Sequence, residues 1–322
     1  MAMSRLFRDV DGGALFPHGS VVCIGAFDGL HLGHRALVRH AVARARDLSL
    51  PAVALSFEPL PREFFSRELP PPRLTLARGK YQGLCELGAD GVGLLRFDAR
   101  LAAMSAEDFV RRMLVERLGA REVWIGPEFR FGNSRGGDLP LLQRLGAESG
   151  FSAGEIEAVQ LQGERVSSTR IREALRSGDF TDAAHLLGRP YAIGGRVVRG
   201  KQLGRTLGFP TANLRFPKTP ALSGIYATWV HGVGGDSGRS GPHASVSSFG
   251  TRPTVDGIEP LLEAHLFDFD GDLYGRHIEV EFVAKLRDEL KFPDLPSLTE
   301  QMQRDAETAR RLLSEQRLRA TA

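Results

Sequence analysis

Two histidines with two residues between them, His31 and His34, stand in the run Ile24-Gly25-Ala26-Phe27-Asp28-Gly29-Leu30-His31-Leu32-Gly33-His34. The preceding Val21-Val22-Cys23-Ile24 is a short apolar run with β-branched members, and Arg35 to Asp47 reads as an alanine-rich helix. The motif is therefore expected on a strand-to-helix turn. A helix start presents unpaired N–H groups and the positive end of the dipole to an anion, and Gly25, Gly29 and Gly33 let a ligand come close to the backbone. Two imidazoles there could neutralise charge developing on a transferring phosphoryl or nucleotidyl group. From the spacing alone, metal ligation and an ordinary polar first turn stay open beside that reading.

The elements that must position this motif follow from the hydrophobic pattern. Beyond the first strand and helix, the pattern predicts strands at Ala52–Phe57, Gly91–Leu95, Glu122–Gly126 and Ile156–Val159. Helices are predicted at Gly79–Leu87, Ala106–Leu118, Leu139–Glu148 and Thr169–Arg176. Such alternation argues for a parallel sheet covered on both faces, with ligands at the carboxyl ends of the strands. Past Leu186-Leu187-Gly188-Arg189-Pro190 the character changes. Tyr191–Val198, Gly224–Val233, Ala244–Phe249, Leu261–Phe267 and His277–Ala284 read as strands, which a closed β-barrel or sandwich would protect. Leu298 to Leu318 reads as an amphipathic closing helix, and Gly232 to Gly241 as a flexible hairpin loop.

With 322 residues the chain has room for two domains. Lys+Arg of 42 against Asp+Glu of 39 demands neither a nucleic-acid nor a membrane partner. Only 5 of those 42 basic residues are lysine, so arginine-containing matches carry reduced weight. Cys23 and Cys85 lie in apolar contexts and read as buried thiols. Neither a secretory h-region nor an apolar run of membrane-spanning length is found, so a soluble cytoplasmic protein is expected. The sequence leaves homo-oligomerisation open.

Three more segments suit a nucleotide cleft. Ser56-Phe57-Glu58-Pro59-Leu60-Pro61-Arg62-Glu63-Phe64-Phe65 reads as a rigid loop rather than a helix because of its proline pair. In Gly126-Pro127-Glu128-Phe129-Arg130-Phe131-Gly132, an arginine between aromatics suits a ring or a phosphate, and core packing of Phe129 and Phe131 is the alternative. Val166-Ser167-Ser168-Thr169-Arg170-Ile171-Arg172 offers hydroxyls at a helix start, useful as caps or, with Arg172 one turn in, as an anion clamp.

In the second half, Gly200-Lys201-Gln202-Leu203-Gly204-Arg205-Thr206-Leu207-Gly208-Phe209-Pro210-Thr211-Ala212-Asn213 is a glycine-studded basic loop able to wrap phosphates. Its Thr211 and Asn213 offer oxygens to a hard cation, and Pro-Thr-Ala-Asn by itself reads as a turn. Leu262-Glu263-Ala264-His265-Leu266 places Glu263 and His265 on one strand face, where a carboxylate facing inward could act as general base. Two other matches are rejected. Gly195 to Lys201 has P-loop spacing but Gln202 where Ser or Thr is needed, and Asp268, Asp270, Asp272 and Glu279 lack the glycine of an EF-hand, Leu273 standing there.

GxFDGxHxGH and the downstream SSTxxR resemble the signatures of Rossmann-like nucleotidyltransferases, in particular bacterial FAD synthetases. The run GRTLGFPTAN resembles the riboflavin kinase motif, as do Ser248-Phe249-Gly250-Thr251-Arg252-Pro253-Thr254, the Glu263-Ala264-His265 segment, Asp268 to Gly275 and Leu286 to Glu289. The chain is thereby similar to bifunctional riboflavin kinase/FAD synthetases. The resemblance implies an FMN adenylyltransferase domain at 1–187 and a riboflavin kinase domain at 188–322, the latter an antiparallel β-barrel. It implies riboflavin, FMN, FAD and ATP as substrates and products, with Mg2+ as cofactor. His31, His34 and Glu263 take catalytic roles. Gly25, Phe27, Asp28, Gly29, Ser168, Thr169, Arg172, Gly204 and Arg205 take the nucleotide, Glu128, Phe129 and Arg287 the flavin, and Thr211 and Asn213 the metal. The family often has His where Leu60 stands and Asp or Asn where Glu128 stands. A kinase with a silent transferase half and a flavin-binding sensor are the competing readings.

Overall fold

The computed structural model describes residues 4–200, 203–218, 221–234, 241–254 and 257–321. It divides into two compact units, one of residues 1–71 and 75–168 and one of residues 72–74 and 169–322.

The first unit is built on six parallel strands: β1 (Arg5–Phe7), β2 (Ser20–Ile24), β3 (Ala52–Glu58), β4 (Gly91–Arg96), β5 (Ala120–Ile125) and β6 (Ser152–Glu155). Their order is β1-β4-β3-β2-β5-β6. β2 is buried at every residue, as a central strand covered on both faces must be. Helix Leu32–Asp47 turns Leu37, Val38, Ala41 and Ala45 toward one face of the sheet. The other face packs Val22, Ile24, Leu55 and Val123 against Phe109, Met113 and Leu114. The loops after β2, β3 and β5 therefore leave the sheet at its carboxyl edge, where the candidate residues lie.

The sequence pattern misplaces several elements here. The strand expected at Ile156–Val159 is β6, ending at Glu155, and 156–159 is irregular. β1 has three residues and escaped detection. The helix expected over Ala106–Leu118 continues from Ala106–Phe109 as a π-helix, Val110–Arg117. The supposedly non-helical proline loop contains a short helix, Pro61–Phe64, because proline fits the first helical position, where no N–H is needed. Cys23 is buried and its thiol is pushed up to about 12 by burial, whereas Cys85 is only half-buried. A small hairpin, β7 (Gln160–Leu161) with β8 (Glu164–Arg165), precedes the boundary between the units.

Helix Ser168–Ser177 enters the second unit at Thr169 and is followed by helix Phe180–Leu187, the latter unforeseen. Phe180 packs on Tyr226 and Phe282 of the barrel at ring separations of 5.8 and 6.0 Å. The barrel closes in the order β10-β13-β12-β11-β14-β9, all neighbours antiparallel. Its strands are β9 (Ala192–Val198), β10 (Ala212–Arg215), β11 (Gly224–His231), β12 (His243–Thr254), β13 (Gly257–Leu266) and β14 (His277–Arg287). Closure removes every exposed strand edge. Inside, Leu262, Ala264, Tyr226 and Phe249 are buried, with the hydroxyls of Thr228, Ser245 and Ser247 satisfying one another. Helix Leu295–Thr321 lies on the outer wall, Ala309 and Leu313 packing against Ala227 and Phe267. Pro-Thr-Ala-Asn is not merely a turn, since Ala212 opens β10. Of the hairpin loop expected at 232–241, residues 235–240 lie outside the described residues, as do Lys201 and Gln202 of the basic loop.

Candidate active sites

In the first unit a cavity of about 260 Å³ opens where β2 meets its helix. Gly25, Ala26, His31, Gly33 and His34 line one side; Gly126, Pro127, Phe129, the 156–159 segment, Arg165 and Ser168 line the others. His31 caps the helix: its Nδ1 accepts from the His34 N–H at 3.3 Å. A ring nitrogen that accepts carries no proton, so a neutral His31 presents Nε2–H as its donor. The His34 ring stacks on His31 at 3.7 Å and stands edge-on to Phe27 at 5.4 Å. Burial, then the repulsion that a charge on neighbouring His31, Lys80 or Arg62 would exert on a proton, holds His34 well below the usual histidine range, so it is neutral near pH 7. Two cationic imidazoles are thus not what the cavity holds; it holds a stacked pair on a helix N-terminus, with hydrogen-bond donation and the helix dipole as its means toward an anion.

Phe27, Asp28 and Gly29 lie behind the cavity wall. Phe27 is fully buried. Asp28 is buried too, pairing with Arg62 at 2.5 Å and accepting the Thr75 N–H at 3.0 Å. The Asp28 carbonyl accepts from Ser168 Oγ at 2.9 Å, and the Gly29 N–H reaches Thr75 Oγ1 at 3.0 Å. Phe27, Gly29 and Leu30 all have positive φ (49°, 94° and 48°), a tight turn that these anchors over-determine. Glu128 points outward and pairs with Arg165 at 2.8 Å, while Phe129 lines the cavity and stacks on Phe131 at 5.8 Å. The residue pattern pointed to Arg130, which instead pairs with Asp138 at 2.9 Å; Arg165 and 156–159 are the lining groups it missed. Leu60 is buried at the N-cap position of the Pro61–Phe64 helix, where its N–H donates to Glu63 Oε2 at 3.0 Å.

Thr169 and Arg172 fall in the second unit. Arg172 is buried, its Nε donating to the Pro72 carbonyl at 2.7 Å.

The second unit has its own cavity, of about 290 Å³, on the barrel's outer wall beneath the closing helix. Cross-strand pairing sets Asn213, Glu263, Ser248, Ile225 and Arg287 in one row across β10, β13, β12, β11 and β14. Directly paired residues of antiparallel strands share a face, so the row is a single surface. The face of Glu263 is the outer one, not the barrel interior; Leu262 and Ala264 take the inside. Glu263, His265, Thr211, Gly204, Phe209 and Arg287 line the cavity, closed over by Phe292, Leu298 and Met302. His265 Nδ1 meets the Pro210 carbonyl at 2.9 Å and its ring lies 5.1 Å from Phe209, tying the loop to β13. Burial is the main reason that His265 titrates below the usual range. A Cβ on Gly204 would sit 2.3 Å from the Phe209 carbonyl, so glycine is required by that backbone approach. Arg205 is exposed and does not line the cavity.

Arg287 is strapped down, its Nε and Nη2 binding the Asp305 carboxylate at 3.0 and 2.6 Å. Gln301 also donates to Asp305, at 2.9 Å. Asp305, which sequence patterning did not single out as a functional residue, therefore couples the closing helix to the cavity rim. Asn213 Nδ2 donates to the Thr211 carbonyl at 3.1 Å, and a Cβ on Gly200 would lie 2.8 Å from Asn213 Oδ1. Thr211 and Asn213 thus sit together with hard oxygen donors in a space kept open by glycine, which suits Mg2+.

A parallel-sheet unit with an anion cavity at a helix start, followed by a closed barrel with a carboxylate-bearing cavity, defines a two-site enzyme of phosphoryl and nucleotidyl transfer. The sequence matches the FAD synthetase family over residues 14–170 and the riboflavin kinase family over residues 187–313. It is 45% identical over 309 residues to the bifunctional riboflavin kinase/FMN adenylyltransferase of Escherichia coli K12, covering 95% of this chain and 97% of that one. The proteins of the same name from Pseudomonas fluorescens (44% identical, 91% and 93% covered) and Haemophilus influenzae (40%, 95% and 98%) are also similar. A solved Streptococcus pneumoniae structure titled a macrolide-efflux protein superposes with a TM-score of 0.76 at 28% identity, covering 95% of this chain and 98% of that one. Among the described residues no helix is long and apolar enough to cross a membrane. The chain belongs to the bifunctional riboflavin kinase/FMN adenylyltransferase family.

Proposed function

We propose that the two cavities carry the two successive activities of this family: riboflavin is phosphorylated to FMN on the barrel, and FMN is adenylylated to FAD at the histidine pair. The observation that carries this is the separate cavity in each unit, each lined by the family's own motif residues. Residues 1–187 and 188–322 are assigned as the functional domains, the helices after Ser168 folding with the barrel although SSTxxR serves the transferase.

At the barrel, Glu263 takes the proton of the terminal ribityl hydroxyl as that oxygen attacks the γ-phosphorus of ATP, with ADP leaving. Gly204 and the surrounding loop cradle the nucleotide, with Arg205 at its exposed edge. Thr211 and Asn213 would hold Mg2+, which screens the charge of the phosphates. Arg287, immobilised by Asp305, gives the flavin a fixed rim.

At the sheet, an FMN phosphate oxygen attacks the α-phosphorus of ATP and pyrophosphate leaves. That nucleophile is already an anion, so the site needs no strong base. His31 through Nε2–H, neutral His34, Gly25 and the helix N-terminus stabilise the charge, with Ser168 on the same cavity wall; Thr169 and Arg172 are assigned to the nucleotide by the SSTxxR motif alone. Phe27, Asp28 and Gly29 act from behind by holding the turn. Phe129, with the Glu128–Arg165 pair at the rim, borders the flavin. Two unpaired thiols support a reducing compartment, the cytoplasm.

The test is to incubate the purified chain with riboflavin, ATP and Mg2+ and separate the flavins by chromatography. FMN and FAD are both expected. FMN alone would leave the transferase half silent and direct attention to Leu60 and Glu128; neither product would overturn the proposal.

A further inference from the structure

Lys80 has no exposed surface, and no step proposed for either cavity uses it. An ammonium is retained in a protein interior only where acceptors replace its water. Among them are three successive residues at the carboxyl end of β3. Nζ donates to Ser56 Oγ at 3.3 Å and to the Phe57 carbonyl at 3.2 Å, and lies 3.5 Å from the Glu58 carboxylate. Ser56, itself buried, passes the contact on, its Oγ donating to the Ala26 carbonyl at 3.0 Å. One residue earlier, the Gly25 N–H donates to Leu55 of the same strand at 3.0 Å. Gly25 and Ala26 line the histidine cavity; Lys80 and Ser56 do not. The relay thus runs from helix Ala77–Glu86, none of whose residues lines that cavity, to the backbone that launches the His31 turn. A core that needed only volume at this point would take a methionine, without the desolvation cost.

We infer that Lys80 is a positioning residue for nucleotidyl transfer, acting through Ser56 on the Gly25–Ala26 backbone and so on the placement of His31 and His34. The inference rests on the reading that this cavity makes FAD. Its electrostatic side points the same way, because the Lys80 charge is among those that disfavour a proton on His34.

The test uses the full chain with FAD formation from FMN and MgATP as readout, and riboflavin phosphorylation at the barrel as an internal control of integrity. Lys80→Met is expected to lower kcat for FAD formation about 10-fold to 100-fold, the size of effect produced by small misplacements of reacting groups. KM for ATP should stay within about threefold, since no ligand contact is lost, and FMN formation should be unchanged. Ser56→Ala should give a smaller loss in the same parameter, and the double variant should be no worse than Lys80→Met, because both act through one relay. Single-variant kcat values at the wild-type level, multiplicative losses, or a loss confined to KM would each overturn the inference. Should Lys80→Met fail to fold, Ser56→Ala decides alone, its unchanged kcat being the contradicting result. A wild-type chain that makes no FAD would instead overturn the reading of the cavity itself.

Discussion

On the function proposed here, the histidine cavity and the barrel cavity handle the same polyphosphate with opposite means. At the sheet, the tools are a helix start, two stacked imidazoles and a turn pinned from behind by Arg62 and Thr75. At the barrel, a carboxylate stands in a row of side chains spread over five strands, and the arginine of that row is tied to a helix. The attacking groups explain the difference. A phosphate oxygen needs only charge stabilisation, whereas a hydroxyl must also lose a proton, so a carboxylate belongs at the barrel and would be a liability beside the anions at the sheet.

The comparison breaks first at Glu263. Glu263→Gln is expected to lower riboflavin phosphorylation about 10³-fold, within the range of general-base removal, with FMN adenylylation intact. Phosphorylation near the wild-type rate would mean that the hydroxyl needs no base and that the two sites do not differ as described. Next comes His31→Ala, which removes a donor and the helix cap. FAD formation should fall about 10²-fold while FMN formation persists. Both rates can be read from one chromatogram.

Asp305→Ala tests whether the barrel cavity depends on its closing helix. Losing a partner from a largely buried ion pair should cost about 2 kcal/mol of that unit's stability, less than for a fully buried pair because Arg287 keeps some exposure. KM for riboflavin should rise as well. Equal denaturation midpoints for variant and parent would show that the strap carries nothing.

The smallest effect is in pH. His34 and His265 both titrate below the ordinary histidine value of 6.5 in the folded protein. Below that pH the unfolded chain takes up protons that the folded chain refuses, so their contribution to stability is present above about pH 6.5 and declines as pH falls toward the lowered values. Urea titrations between pH 7.5 and 5.5 should show this decline, and His34→Asn should flatten it for the sheet unit alone.

The alternation of strands and helices and the later run of strands were legible because buried parallel strands and half-buried barrel strands leave distinct patterns. β1 and helix Phe180–Leu187 were not, the first too short to show a period and the second hidden at the change of character. That His31, His34 and Glu263 border cavities was legible because motif and chemistry point to the same residues. The burial of Asp28 and Phe27 was not, since a motif residue at a cavity surface and one beneath it look the same in a sequence. Lys80 and Asp305 gave no signal at all; their partners are 24 and 18 positions away and become neighbours only through folding.

The most direct test of two independent sites is to give the Glu263→Gln chain either riboflavin or FMN, each with ATP and Mg2+, and to quantify the flavins formed. The account predicts FMN formation from riboflavin lowered about 10³-fold and FAD formation from FMN at the parental rate. Loss of FAD formation from FMN, in a chain that still unfolds like its parent, would contradict it.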